Sequence, residues 1–498
     1  FSEIPRDGDE AVERRAERIG AGLAGEVDHV QFFDGHRLTD RREPHANPTG
    51  DGFAIDHRMR SFGGREAISA NGKSTSYFSL LQQVDDWYNV LQEKEIQAGS
   101  CGIIQGEFSI GTVSLLIAML LHKQIIVPLQ EQEPEKELKS RIAQCQYEFT
   151  FQADGSWDYQ ELPGTANSEL YEQIRFEKTS GLIIFTSGST GVPKGAVHNA
   201  NQLLQKFHKQ RSGFRTITFL LLDHIGGINS LLAVLSYGGT VIPVKERTAK
   251  GVAKIIQDTK AELLPTTPTF LKMILMNESW KQYDLTSLKL VTFGTEPMPD
   301  STLHALEKIF PNIHFKQTYG LTELGIMPVR SPKGDSRWFS IGGDGFKTRI
   351  VDGILHIHSH TSMLGYLNAP SPFDRDGWYN TGDRIEEKDG YIRVLGRDSE
   401  IINVGGEKVF PIEVEDHIMK LPNIKEVAVV GRSNPIMGKV VVARVQLKEP
   451  ASLEETEKLV RDHCSQGLSP YMVPAIVTLV EKELHGDRFK KIRQDMQE

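Results

Sequence analysis

The densest run of chemistry-bearing residues is IIFTSGSTGVPKG, Ile183 to Gly195. An apolar stretch runs straight into a loop of Ser, Thr and Gly that ends on Lys194. Glycines tolerate positive φ, so such a loop can turn its N–H groups onto an anion. The hydroxyls of Thr186, Ser187, Ser189 and Thr190 add donors, Gly188 adds freedom, and Lys194 adds charge. This is the composition of a polyphosphate cradle, although a plain surface turn has the same composition. It is not a G-x-x-x-x-G-K-[ST] loop, because Pro193 stands where that frame needs Gly and Gly195 where it needs Ser or Thr.

The elements that must hold this loop read as an alternation. SYFSLLQQVDDWYNVLQ places Tyr77, Leu80, Leu81, Val84, Trp87, Tyr88 and Leu91 on one helical face. CGIIQ reads as a buried strand, IGTVSLLIAMLLHK as a buried helix, and QIIVPL as a strand ended by Pro128. A helix over 134–144, opened by its proline, and a strand YEFTF follow. Later strands are LIIFT, TITFLLL, TVIPV and ELLP, with helices in NQLLQKFHKQ and AKGVAKIIQDT; SLKLVTFG and IHFKQTYG each read as a strand ending in Gly. Strand–helix–strand alternation implies a parallel sheet with helices on its faces. After about Phe339 the texture turns to short strands and turns, and from Ser399 a compact α+β unit is expected, with a helix in SLEETEKLVRDHC capped by Ser452.

Composition narrows the class. The chain has 498 residues, 39 % of them hydrophobic, 25 % charged and 8 % aromatic, which is the profile of a globular protein with ample core and room for several domains. The net charge of −9 argues against a generic nucleic-acid binder. Its longest clean apolar run, Val113 to Leu121, falls short of the ~20 residues of a membrane span, so no transmembrane segment is expected. Three dispersed cysteines, Cys101, Cys145 and Cys464, exclude a disulfide framework or a Cys-rich zinc site and suit a reducing cytoplasm. Residues 1–55 read as an appendage, with one amphipathic helix in EAVERRAERIGAGLAGEV and a polar linker, and no evident chemistry. The chain starts on Phe1, so it is expected to be processed, trimmed or excised from something longer.

The loop TSGSTGVPKG resembles the signature of the adenylate-forming superfamily, which holds acyl-CoA synthetases, aryl-acid ligases, nonribosomal adenylation domains and firefly-type luciferases. Further motifs of that family follow in its order: FGTEPM (Phe293–Met298), QTYGLTELG (Gln317–Gly325), YNTGD (Tyr379–Asp383), GRDSEIINVGGEKVFPIEVE (Gly396–Glu415) and FKKIRQ (Phe489–Gln494). The resemblance covers about Asp56 to the C-terminus. It implies an α/β fold: a large multi-layer N-terminal domain over 56–398, of mostly parallel sheets plus a β-rich subdomain, and a small mobile α+β domain over 399–498, with 1–55 outside.

The resemblance also implies roles. Thr186, Ser187, Gly188, Ser189, Thr190 and Lys194 would hold the β- and γ-phosphates of ATP. Gly294, Thr295 and Glu296 would run along the adenine. Tyr319, followed by Gly320, would stack on the base, and Thr322 would donate to the α-phosphate. Glu323 would bind Mg²⁺, as a hard carboxylate oxygen suits that ion. Asp383 would accept the ribose hydroxyls and Arg397 would contact ribose or phosphate; alone, they read as a turn aspartate and a solvated charge. Lys491, with Lys490 as the neighbouring alternative, would bridge carboxylate and α-phosphate. In LLLDHIGGINSLL, His224 would gate an acyl pocket, or else be a core histidine at a strand end. Ile225 stands where amino-acid-activating relatives place an aspartate, and Gly226-Gly227 leaves space. An acid without an α-amino group, aryl or aliphatic, follows, with Asp223 one residue away as the rival register. Ser399 falls at the family's hinge. Gly405-Gly406 would approach a thiol tunnel after the swing, or form a plain hairpin turn.

The expectation is therefore an ATP- and Mg²⁺-dependent acid–thiol ligase. It would form an acyl-adenylate, release pyrophosphate and pass the acyl group to coenzyme A, or alternatively to the phosphopantetheine of an acyl carrier protein. A non-catalytic nucleotide-binding protein of the same fold is the reading from another class.

Overall fold

The computed structural model describes residues 51–186, 191–486, 488–489 and 491–493. Of the appendage expected over 1–55, residues 1–50 lie outside these residues, while 51–55 open the helix Asp51–Phe62, so the expected boundary at Asp56 falls inside a helix. Local sequence explains where the elements begin. The helix Tyr77–Glu93 starts where the Ser76 hydroxyl accepts the Ser79 N–H, and it buries Tyr77, Leu80, Leu81, Val84, Trp87 and Leu91 on one face. The helix Ile110–Leu121 opens with a reciprocal cap between Ser109 and Thr112. It is apolar almost all round and accordingly sits in the core.

The described residues build two seven-stranded sheets. One runs, in spatial order, Gly365–Tyr366, Lys194–Asn199, Gly181–Thr186, Ile125–Leu129, Cys101–Gln105, Tyr147–Phe151 and Trp157–Glu161. Its three pairs among Gly181–Thr186, Ile125–Leu129, Cys101–Gln105 and Tyr147–Phe151 are parallel, and its three outer pairs are antiparallel. The other runs His314–Gln317, Leu290–Phe293, Leu263–Thr266, Arg215–Thr218, Thr240–Pro243, Glu66–Ala70 and Lys73–Ser76. There all pairs are parallel except the last. Parallel pairing needs crossovers, and helices such as Ile225–Tyr237 and Ala249–Thr259 provide them.

A four-stranded antiparallel sheet follows (Phe346–Val351, Ile354–Ser359, Tyr379–Lys388, Tyr391–Arg397). Residues 402–479 then form a five-stranded sheet with helices Pro411–Ile418 and Leu453–Gly467. Ser452 caps the second helix, accepting the Glu455 N–H. These units match the expected α/β class with its β-rich part and small α+β end.

Some expectations shift. Pro128 lies inside its strand, paired with Ile104, and does not end it. The ladder on the other side of that strand stops at Ile126, so the missing N–H breaks no bond. The strand begun in TITFLLL stops at Thr218, and its leucines enter the loop before the next helix. The edge strand Trp157–Glu161 is not among the expected elements, although Trp157 and Tyr159 alternate with polar residues and pack on Phe149. Cys101 and Cys145, distant in sequence, are buried neighbours with sulfurs 3.9 Å apart and both thiols free.

Candidate active site

The Ser/Thr/Gly loop closes a hairpin, since Thr186 pairs with Lys194 across antiparallel strands. Ser187, Gly188, Ser189 and Thr190 lie outside the described residues. Lys194 holds its ammonium 5.5 Å from the Tyr366 ring centroid. The Tyr366 hydroxyl donates to the carboxylate of Glu323, which is itself buried.

The strand Leu290–Phe293 delivers Gly294 beside Thr318. A Cβ on Gly294 would stand 2.5 Å from the Thr318 hydroxyl, so only glycine lets these two segments meet. Thr295 follows with φ +73°, uncommon for a β-branched residue and a mark of backbone strain. The Glu296 carboxylate accepts the Thr269 N–H (2.8 Å) and the Lys491 N–H (3.4 Å), so its side chain joins the first turn of helix Pro268–Asn277 to the C-terminal tail. Tyr319, Asp383 and Arg397 are mutually bonded. The Tyr319 hydroxyl donates to Asp383, and Arg397 Nε lies 2.9 Å from the other Asp383 oxygen. Burial pushes the Asp383 carboxyl up, against the pull of Arg397. Thr295, Glu296, Tyr319, Gly320, Asp383, Arg397 and Lys491 share one recess of about 370 Å³.

A larger cavity, about 920 Å³, joins Thr186, Gly294, Thr295, Thr322, Glu323 and Arg397 to His224, Ile225, Gly226 and Ser399. His224 is the N-cap of helix Ile225–Tyr237, its Nδ1 accepting the Gly226 N–H at 3.0 Å. That leaves Nε2 as the protonated nitrogen of the neutral ring. It is thus a capping residue on the cavity wall rather than a histidine sealed in the core. Gly226 lines the cavity, but Gly227 does not. A Cβ on Gly227 would fall 1.8 Å from the Leu221 carbonyl oxygen, so backbone crowding explains that glycine. Asp223 is absent from the cavity wall. Its carboxylate faces Gln130 (3.0 Å) and Arg488 (2.7 Å). Gly405 and Gly406 form the turn of the hairpin Ile402–Val409, with φ of +62° and +95°.

The tail brings in residues that sequence reasoning did not single out. Lys491 Nζ is 2.9 Å from Glu415, which also takes two bonds from Arg493. Burial alone would raise the Glu415 carboxyl, but Lys491 and Arg493 hold it down at about 2. Arg493 reaches Glu400 as well. Phe489 packs on Phe219 and Phe270, with ring centroids 5.3 and 5.1 Å away. Lys490 lies outside the described residues. Glu415 closes the motif that begins at Gly396, which was the one available signal for it; Asp223 stood out only as the rival register beside His224, and Arg488 offered no signal.

The family model of AMP-binding enzymes matches residues 55–366, and that of the AMP-binding enzyme C-terminal domain matches 413–490. The chain is 29 % identical to an indoleacetate–CoA ligase of Aromatoleum aromaticum over 64 % of its own length and 66 % of the relative's. It is 24 % identical to a 2-succinylbenzoate–CoA ligase of Listeria innocua over 86 % and 95 %. Among solved structures, an anthranilate CoA ligase in complex with anthranoyl-AMP superposes with a TM-score of 0.77 at 20 % identity, covering 89 % of this chain and 95 % of that one. This likeness speaks for the fold. The match spans just under two thirds of the indoleacetate ligase.

Proposed function

Because the chain belongs to the AMP-binding enzymes and carries their C-terminal domain as well, we propose that it activates a carboxylic acid with ATP and transfers the acyl group to coenzyme A. The carboxylate attacks the α-phosphorus, the α–β phosphoanhydride bond breaks, and pyrophosphate leaves. The thiol sulfur then attacks the acyl carbon, and AMP departs with the electron pair of the mixed anhydride. Such chemistry asks the protein chiefly for alignment and charge neutralisation.

The observation that carries the reading is one cavity with Thr186, Thr322 and Glu323 at one part of its wall and the His224 helix along another. Thr186 and Thr322 on this wall, with Lys194 at the start of the following strand, hold the phosphates. In the neighbouring recess Tyr319, Asp383 and Arg397 hold the nucleoside, and Gly294 with Thr295 flanks it. Mg²⁺ typically takes one or two carboxylates and leaves its other positions to phosphate and water. Glu323 supplies one such oxygen on the cavity wall, so the site fits the ion, which when bound offsets phosphate charge. Lys491 approaches from the neighbouring recess, and Ser399 is the pivot of the domain swing. Ile225 at the helix start and Asp223 turned toward Arg488 leave no carboxylate for an α-ammonium there. The free, buried thiols suit a reducing cytoplasm, and among the described residues no helix is long and apolar enough to cross a membrane.

The test is acid-dependent ATP–pyrophosphate exchange over aryl, aliphatic and amino acids, then thioester formation with coenzyme A or with a phosphopantetheinylated carrier protein. Exchange with non-amino acids and thioester on coenzyme A are expected. Preference for an α-amino acid would refute the substrate reading, and preference for the carrier would refute the acceptor.

A further inference from the structure

We propose that the acid activated here is elongated and carries a second anionic group, which docks on Arg211 at the far end of the cavity. This rests on the adenylation reading above and adds the class of substrate. The cavity follows one face of helix Ile225–Tyr237, where Gly226, Asn229, Ser230, Ala233, Val234 and Tyr237 all line it. At 1.5 Å per residue, Gly226 and Tyr237 stand about 16 Å apart along the axis. The facing wall comes from the parallel sheet. Gly294 and Thr295 follow the C-terminal end of strand Leu290–Phe293, whereas Phe214 and Arg211 precede the N-terminal end of strand Arg215–Thr218. The cavity therefore runs from the reacting end, at Thr322 and Glu323, across the width of the sheet to Arg211, Ser212 and Gly213.

Among the described residues, charge at the far end is one-sided. Arg211 is exposed at the mouth, and no described carboxylate pairs with it. Glu323 is the one carboxylate on the described cavity wall, and it belongs to the other end. Lys316, half-buried near Arg211, has its ammonium disfavoured by burial and by that guanidinium. Arg58 approaches Tyr237 as well, with its own guanidinium donating to the Phe207 and His208 carbonyls. An anion placed on Arg211 relieves this crowding of cations. Two polar atoms of the wall, the Asn229 amide oxygen and the Thr266 hydroxyl, are buried without a hydrogen-bond partner. Buried polar groups are ordinarily paired, so this lining suits a polar occupant better than a plain hydrocarbon chain.

The experiment compares straight-chain α,ω-dicarboxylic acids with monocarboxylic acids of equal length, in wild type and Arg211→Gln, by ATP–pyrophosphate exchange and by direct calorimetric binding. In wild type, kcat/KM for the diacid should exceed that for the monoacid at least tenfold. The advantage should peak when the carboxylates are about 15 Å apart, in keeping with the helix rise. Arg211→Gln should raise KM for the diacid about tenfold, leave kcat and the monoacid unchanged, and erase the preference. Equal or better use of monoacids by wild type, or an undiminished preference in Arg211→Gln, overturns the proposal while leaving adenylation standing. Arg211-dependent diacid binding without exchange overturns the adenylation reading and keeps the anion site. Binding of neither acid overturns the site.

Discussion

Arg488→Gln and Asp223→Asn break the same ion pair from opposite ends, and they should not cost the same. With the tail docked, the Asp223 side chain is only 5 % exposed, while Arg488 is 38 % exposed. One Asp223 oxygen accepts from Arg488 and Gln130, and the other has no partner. Removing Arg488 leaves a buried carboxylate with a single amide donor. A buried charge stripped of its partner costs about 3–5 kcal/mol, and partial access of water at Arg488 reduces this to about 2–3. Removing the Asp223 charge leaves Arg488 partly in water, a loss nearer 1 kcal/mol, as for half-exposed pairs. At 1.36 kcal/mol per tenfold, the tail should undock roughly 30- to 150-fold more readily in Arg488→Gln and roughly 5-fold more readily in Asp223→Asn. The double variant should behave like Asp223→Asn, because no unpaired charge remains; the second substitution rescues the first. Hydrogen exchange reads this at the Lys491 amide, which donates across to the Glu296 carboxylate (3.4 Å). Pyrophosphate exchange should follow the same order. Additive losses in the double variant, or a larger loss in Asp223→Asn, would refute the reasoning.

Glu323→Ala should abolish acid-dependent pyrophosphate exchange at ordinary Mg²⁺; near-normal exchange would remove Glu323 from the phosphate end of the site. Lys491→Ala should lower adenylation by several orders of magnitude and spare thioester formation from a supplied acyl-adenylate, and the same pattern in Lys490→Ala instead would move the role by one residue. Glu415 sits at about 2 in the folded chain against an ordinary 4.5. Between these values the unfolded carboxyl binds the extra proton, so its contribution is present above pH 4.5 and lost as pH falls toward 2. The span corresponds to roughly 3 kcal/mol. Urea unfolding of wild type and Glu415→Gln should show a gap of that order at pH 7 that narrows below pH 4.5, and a gap independent of pH would contradict it.

What could be read from sequence was local. The strand-to-loop transition at Thr186, the glycine after Phe293 and the cap at Ser452 are each written within a few residues, and each stands where expected. What escaped depends on distant segments. Tyr319 and Asp383 are separated by 64 positions and Asp223 and Arg488 by 265, and no spacing rule joins such pairs. Gly227 illustrates a subtler limit. A glycine beside a substrate cavity invites a reading in terms of space for the substrate, yet the Leu221 carbonyl oxygen already fills the place of its Cβ. Gly226, one residue earlier, does face the cavity. Helical rotation assigns one glycine to the ligand and its neighbour to the backbone. Just before the helix, the extended backbone at His224 puts His224 on the cavity wall beside Ile225, while Asp223 meets the tail. The two rival registers at this point thus describe two surfaces of one loop: one faces the acid, and the other anchors the segment that carries Lys491.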